Sequence, residues 1–343
     1  MPRIALMRPH SSAVSTHVLA LHVANPSRRS IWPCGTRTIP SPAQGLSFRK
    51  WSHSHSRLRI LEHVHLRGQS SPSGFIPYSH AEEAQEQHRT RFLSWKGLSE
   101  EQRRTAGLSG EEPKPRLLSF EAEPTFTLGR RQDNLTAEQT ARLQRPLHVG
   151  PMPLLAPPTH IFIPQVRKTN RGGLTTYHGP GQLVLWPVLD MHSRLYPKYG
   201  VASYAHHLET TTQRLLAERF GIETYVERDE PGVWVSTSLG QPRKIAALGV
   251  HQRRYVTALG VAVNIHVPVT GGEAFNPWAR FVPCGLDGKL VTSVAAEVGS
   301  DAALEYGLSD LAGHWAVLFE EGMLDEGKRR GERSSEGQDR LGR

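Results

Sequence analysis

Four glycines and a proline fall within twelve residues: Arg171, Gly172, Gly173, Leu174, Thr175, Thr176, Tyr177, His178, Gly179, Pro180, Gly181 and Gln182. Glycine admits positive φ and lets a ligand come close to the backbone. Arg171, Thr176, Tyr177, His178 and Gln182 place polar groups around such an opening. The segment reads as a binding loop; a pair of ordinary turns flanking a strand is the alternative that composition leaves open. No lysine follows the glycines as in a nucleotide-phosphate loop, and the G-x-G-x-x-G order of a dinucleotide site is missing.

A thiol is the second candidate. The chain holds two cysteines, Cys34 and Cys284. Cys34 lies in an acid-free amino-terminal stretch, so the body of the chain carries a single thiol. One cysteine builds neither a disulfide framework nor a thiolate-rich zinc site, which leaves Cys284 as a buried small hydrophobe or a nucleophile. There are 18 histidines, but neither His63 with His65 nor His206 with His207 has a third ligand nearby. No metal site and no cofactor are expected.

The formal charge of +9 invites a nucleic-acid reading. Nine of the 41 basic residues, from Arg3 to Arg59, precede the first acidic residue, Glu62, and the other 32 balance the 32 acidic ones. The body is therefore neutral and carries no basic stripe or aromatic RNA-binding pattern, so nucleic acid is not an expected partner. No apolar run is long enough to span a membrane. An acid-free terminus containing Arg, Ser and His has the character of a mitochondrial presequence; a basic tail without an address is the alternative.

The elements that must position these groups follow from pattern. Residues 58–66 alternate as a strand and residues 79–93 read as a helix with Ser79 as N-cap. Strands are expected at 117–122, 125–128, 161–166, 174–178, 182–189, 223–227, 233–236, 244–250 and 256–265. Thr136 and Gln139 have capping-box spacing for a short helix, and the proline-rich residues 150–159 must be irregular. Residues 201–220 place Ala205, Leu208, Thr212, Leu215, Leu216 and Arg219 near one helical face, with Gly221 as C-cap. A last helix is expected at 302–319. The reading is α+β, with a mixed, largely antiparallel sheet in one catalytic domain. That domain spans residues 57–322, after a leader at 1–56 and before a charged, disordered tail at 323–343.

The loop at 171–182 resembles the R-G-G-x-x-T-Y-H-G-P-G-Q signature of the lipoyl(octanoyl) transferase family, members of the lipoate and biotin ligase fold. Two further blocks follow in that family's order. Arg243, Lys244, Ile245, Ala246, Ala247, Leu248 and Gly249 are similar to its K-I-(A/C)-x-(L/I)-G block. Val282, Pro283, Cys284 and Gly285, followed by Val291, Thr292 and Ser293, are similar to its P-C-G and V-T-S blocks. Weaker echoes are Thr127 to Arg130 and Pro231 to Trp234. The sequence departs from the pattern at Leu174, where many members have Gln, and at Leu259, where many have His.

The resemblance implies an acyltransferase that moves octanoyl (or lipoyl) from acyl carrier protein to a lysine of a lipoyl domain. Cys284 would hold the acyl group as a thioester, and Lys244 would carry the proton. Substrate would be lined by residues 171–179, by Ala246, Ala247, Leu248 and Gly249, and by Ala258, Leu259 and Gly260. The implied donor is octanoyl-acyl carrier protein. The implied acceptors are apo lipoyl domains of 2-oxoacid dehydrogenase complexes and the glycine cleavage H protein, in the mitochondrial matrix. An ATP-dependent lipoate or biotin ligase of the same fold is the main alternative and would need no cysteine nucleophile. An inactive lipoyl-domain-binding protein and a cysteine hydrolase are the others.

The leader expectation has a direct test. Residues 1–60 fused to a reporter should carry it into mitochondria of eukaryotic cells, and diffuse cytosolic signal would reduce the segment to a basic tail.

Overall fold

Strand placement follows burial. The segment QLVLWPV at Gln182–Val188 is buried at every position, so it shows a continuous apolar run instead of alternation, as a strand covered on both faces must. The computed structural model describes residues 60–68, 74–107, 111–150, 160–236, 240–281 and 290–339, with side chains as far as residue 325. These fall in one unit, Ser52–Arg343.

In chain order the elements are β1 (Glu62–His65), α1 (Tyr78–Gly97), α2 (Glu100–Thr105), β2 (Arg116–Phe120), β3 (Thr125–Leu128), α3 (Ala137–Leu143), β4 (Leu147–Val149), β5 (His160–Phe162), β6 (Gln165–Lys168), β7 (Thr175–His178) and β8 (Gln182–Val188). They continue with α4 (Val201–Phe220), β9 (Tyr225–Val226), β10 (Gly232–Val235), β11 (Arg243–Arg253), β12 (Val256–Asn264), β13 (Leu290–Val291), α5 (Val294–Val298), α6 (Ser300–Leu304) and α7 (Leu308–Asp339). Among the described residues the main sheet runs β1-β2-β8-β12-β11-β10-β9, with β13 beside β11. Its β1–β2 and β11–β13 pairs are parallel, and the remaining pairs are antiparallel. A smaller sheet, β6-β3-β7, carries the glycine-rich loop, and β4 pairs β5. The α+β class and mixed, largely antiparallel sheet expected from sequence are what is found.

Helices α4 and α7 cover one face of the main sheet, burying Leu208, Leu215, Leu216, Trp315 and Phe319 with Leu183, Leu185 and Ile245. Helix α1 covers the other, where Tyr78 and Ala81 meet Phe120, Trp186, Ala258, Leu259 and Ala262. The C-cap at Gly221 has φ +65, and the Thr136–Gln139 capping box forms. Strands β11 and β12 are joined by Arg254 and Tyr255, both at positive φ, the backbone of a two-residue turn whose twist matches the strands.

Several expectations need correcting. Helix α1 begins at Tyr78 behind Pro77, without a side-chain cap; Ser79 lies inside it, because the fixed φ of proline sets the start. The strand expected at 161–166 is split into β5 and β6 at Pro164, which cannot donate to a ladder. The helix expected at 302–319 is divided between α6 and α7, and the Gly307 carbonyl between them accepts the amides of Asp310 and Leu311. The backbone of α7 continues to Asp339 through residues expected to be a disordered tail, since no proline stops it. Residues 1–59 and 151–159 lie outside the described residues.

The carboxylate of Glu320, on α7, ties the start of the described chain to the helical layer. Its Oε1 accepts the amides of Ile60 and Leu61, each at 2.7 Å, at a buried position. Glu320→Ala leaves two amides without that acceptor and should lower stability by ~2–4 kcal/mol in urea titration. Glu320→Gln, which keeps an acceptor oxygen, should lose less, and equal midpoints for all three proteins would refute this anchoring.

Candidate functional site

A narrow open slot lies between α1, β7, β8, β11 and β12, lined by Tyr78, Arg171, Thr176, His178, Trp186, Ala247, Leu248, Gly249, Leu259, Gly260, Val261 and Ala262. Two glycines make it possible. Gly249 and Gly260 face each other across β11 and β12. A Cβ on Gly249 would sit 2.9 Å from Arg171 Cδ, and one on Gly260 would sit 2.2 Å from the Leu185 carbonyl oxygen. Side chains there would displace the arginine and the neighbouring strand.

Arg171 is 6% exposed and spends its guanidinium on the protein. Its Nη2 donates to Thr127 O at 2.6 Å, its Nε to Thr127 Oγ1 at 3.3 Å and its Nη1 to Gly172 O at 3.0 Å. A Cβ on Gly129 would lie 2.3 Å from Gly173 O, so the turn at Gly172 and Gly173 packs directly on the end of β3. Period-two alternation then sorts β7. Thr176 and His178 face the slot. Thr175 bonds Gln132 instead, and Tyr177 is buried against Phe126 and Trp278. Tyr177 therefore supports the loop and does not line the opening. The Thr176 hydroxyl is buried with no protein partner, which leaves it available to a bound molecule.

Of the remaining expected lining residues, Gly172, Gly173, Leu174 and Gly179 belong to the loop but not to the slot's wall. Ala246 sits in the core under α4, and Ala258 packs beneath the slot with Trp186. Leu259 adopts φ +62, a left-handed conformation that costs a branched side chain ~1–2 kcal/mol. The Gln85 side chain of α1 holds it there, accepting the Leu259 amide at 2.5 Å. Sequence reasoning missed Tyr78, Gln85, Trp186, Val261 and Ala262; Trp186 alone, four residues beyond the loop, carried a signal.

His178 is oriented by a directional set of hydrogen bonds. Asn264 Nδ2 donates to Thr292 O at 2.9 Å, and Gln182 Nε2 donates to Asn264 Oδ1 at 2.9 Å and to Tyr177 O at 3.2 Å. Gln182 Oε1 is therefore an acceptor, so the 2.8 Å contact with His178 requires the proton on His178 Nδ1. Burial first, and then the nearby Arg171 charge, lower the His178 pKa to about 4, opposed by the Gln182 bond. The imidazole is neutral near pH 7 and stacks on Tyr78, with ring centroids 5.3 Å apart.

Lys244 is 7% exposed and lies three residues before the slot on β11, roughly 10 Å along the strand. Its Nζ donates to Pro231 O at 3.3 Å and sits 4.4 Å from the Trp234 ring centroid. Lys244 pairs Val291 of β13, and its carbonyl accepts the Thr292 amide at 3.0 Å. Cys284 lies outside the described residues, in the segment 282–289; the chain re-enters description at Leu290, beside Arg243 and Lys244. No group of three His, Cys, Asp or Glu residues among the described residues could hold a metal, and no described helix is long and apolar enough to cross a membrane.

A family model described as the lipoyl protein ligase A/B catalytic domain matches residues 97–306. An octanoyltransferase of Koribacter versatilis is 34% identical over 211 residues, which is 61% of this chain and 73% of the relative. The mitochondrial octanoyl-[acyl-carrier-protein]:protein N-octanoyltransferase LIPT2 of Danio rerio is 35% identical over 185 residues, 54% of this chain and 68% of the relative. Among solved structures, LipL1 of P. falciparum in complex with lipoate aligns over 76% of this chain and 61% of its own, at 10% identity and a TM-score of 0.42.

The His178 geometry makes a pH prediction. Its folded pKa of about 4 lies below the ordinary 6.5, so its contribution to stability is complete above about pH 6.5 and is lost as pH falls towards 4. In nitrogen-15 NMR spectra its ring should remain in the Nδ1–H form at pH 5.5. An imidazolium at that pH would contradict the directional bonding.

Proposed function

The chain belongs to the lipoyl protein ligase A/B catalytic-domain family, and from that premise we propose that it is an octanoyltransferase of protein lipoylation, working through Cys284 and Lys244. The observation that carries this reading is a buried lysine on the strand that also walls an apolar slot, paired with the strand that follows the cysteine's segment. The donor is octanoyl-acyl carrier protein and the acceptor a lysine of an apo lipoyl domain. Lipoyl domains of 2-oxoacid dehydrogenase complexes and the glycine cleavage H protein are the acceptors proposed.

The Cys284 thiol gives its proton to Lys244, and the thiolate attacks the thioester carbonyl of the donor. The tetrahedral intermediate collapses, re-forming the carbonyl and expelling the carrier's pantetheine thiolate, which takes the proton back from Lys244. In the second half, the acceptor amine attacks the Cys284 thioester while Lys244 removes a proton from nitrogen. The Cys284 sulfur leaves and is reprotonated by Lys244. Thioester exchanges for thioester and then for the more stable amide, so no ATP is required. The slot holds the acyl chain: Trp186, Leu248, Leu259 and Val261 supply apolar wall, and the Thr176 hydroxyl and the His178 Nε2 lone pair are polar groups on it, beside Arg171 and Tyr78.

The catalytic domain is residues 57–322, and residues 1–56 are the leader that takes it to the mitochondrial matrix. The mitochondrial designation of the Danio rerio relative supports that location, while the Koribacter versatilis relative shows that the family is not confined to mitochondria.

The test mixes the protein with octanoyl carrier protein and an apo lipoyl domain, without ATP, and follows octanoylation by intact mass spectrometry. Cys284→Ala should abolish transfer. Lys244→Arg keeps a charge but cannot accept a proton near neutral pH, and should lose about 100-fold or more, partly rescued at high pH. Transfer that appears only with ATP would favour a ligase. Unchanged rates for Lys244→Arg and Lys244→Ala would remove the lysine from the mechanism.

A further inference from the structure

We propose that Glu209 is a positioning residue for Lys244, acting through the single peptide group that joins Pro231 to Gly232. The inference rests on the reading of Lys244 as proton carrier.

Glu209 projects from α4 and is 7% exposed. Its Oε1 accepts the Gly232 amide at 2.9 Å, and Lys244 Nζ donates to the Pro231 carbonyl at 3.3 Å. That N–H and that C=O belong to one amide. A carboxylate drawing on the N–H end leaves the oxygen a better acceptor, so the two bonds strengthen each other. The result is a carboxylate and an ammonium joined through a peptide instead of in direct contact.

The backbone is shaped for this arrangement. Gly232 adopts φ +138, and a Cβ there would lie 2.7 Å from the Ala246 carbonyl oxygen and 3.2 Å from Lys244 Cε. The turn therefore lies against the lysine's stem. Trp234 supplies the other side of the cradle, its ring 4.4 Å from Nζ and its Nε1 fixed by a 3.2 Å bond to Glu230 O.

Other charges lie near the pair. On α4, His206 acts on Glu209 with the same sign as Lys244, and burial raises the Glu209 pKa against both of them and the Gly232 bond. Arg243, adjacent on β11, is turned to Glu297 of α5 at 2.9 Å, and Glu297 also accepts the Thr292 hydroxyl. A neutral side chain could cap the Gly232 amide without the cost of burying a carboxylate. The retained charge has a use if it acts on the ammonium.

Glu209→Gln separates charge from shape, because it keeps the acceptor oxygen and the volume. In protein carrying carbon-13 lysine, the Lys244 Cε resonance is assigned by its loss in Lys244→Arg, and its titration is followed without reference to activity. Removing the carboxylate destabilises the ammonium, so the Lys244 midpoint should fall by about one unit. The acid limb of the transfer rate should move to lower pH with it.

An unchanged Lys244 midpoint in folded Glu209→Gln overturns the proposal. A shifted midpoint with an unmoved acid limb upholds it and instead refutes Lys244 as the proton carrier. Should Glu209→Gln fail to fold, the wild-type enzyme carries the test: the Gly232 amide proton should titrate with the same midpoint as Lys244. A Gly232 resonance indifferent to Lys244 ionisation overturns the coupling.

Discussion

A run of buried side-chain amides, from His178 through Gln182 and Asn264 to Thr292, ties the slot to the strand that carries Lys244. Every member has its donor and acceptor atoms assigned by its neighbour. A buried amide that loses one partner costs the desolvation of a polar group and not merely one modest bond. The run crosses from β7 to β8 and β12 and ends at the residue whose amide bonds the Lys244 carbonyl. The glycine-rich loop and the lysine strand, 73 residues apart at Arg171 and Lys244, are thereby held in one register.

Backbone packing does what side chains usually do. Where Gly249 meets Gly260, the strands leave a trough that α1 roofs with Tyr78. Arg171 fills the space beside Gly249 and is stitched to backbone oxygens and the Thr127 hydroxyl. The left-handed backbone at Leu259 is part of this construction, because turning that residue and fixing its amide to Gln85 sets the side chain against the slot. Strain of this kind persists where the surroundings over-determine a conformation, and it gathers at sites that bind or react.

Much of this was legible in the sequence because the chemistry is local. The loop's glycines, the apolar run of β8 and the capping box at Thr136 each announce a backbone state within a few residues. What stayed hidden depends on tertiary approach. Glu209 lies among the apolar positions of an amphipathic helix, and only the packing of α4 on β10 gives it a partner. Tyr78 and Gln85 reach the slot from a helix that begins 93 residues before Arg171. Tyr177 looked like a ligand group because its neighbours in the loop are, and the two-residue period of β7 turns it away. The single helix expected at 302–319 is interrupted because Gly307, a poor helix former, falls between α6 and α7.

The claim on which the rest depends is that the acyl group resides on the protein between donor and acceptor. The direct measurement is a single-turnover experiment: the enzyme meets octanoyl carrier protein alone, is digested at low pH and is mapped by peptide mass, and a parallel sample is first chased with apo lipoyl domain. The account predicts one octanoyl group on the peptide containing Cys284, labile to hydroxylamine and discharged to the lipoyl domain on chase. An unmodified Cys284 peptide in an enzyme that nonetheless octanoylates the lipoyl domain at full rate would contradict it.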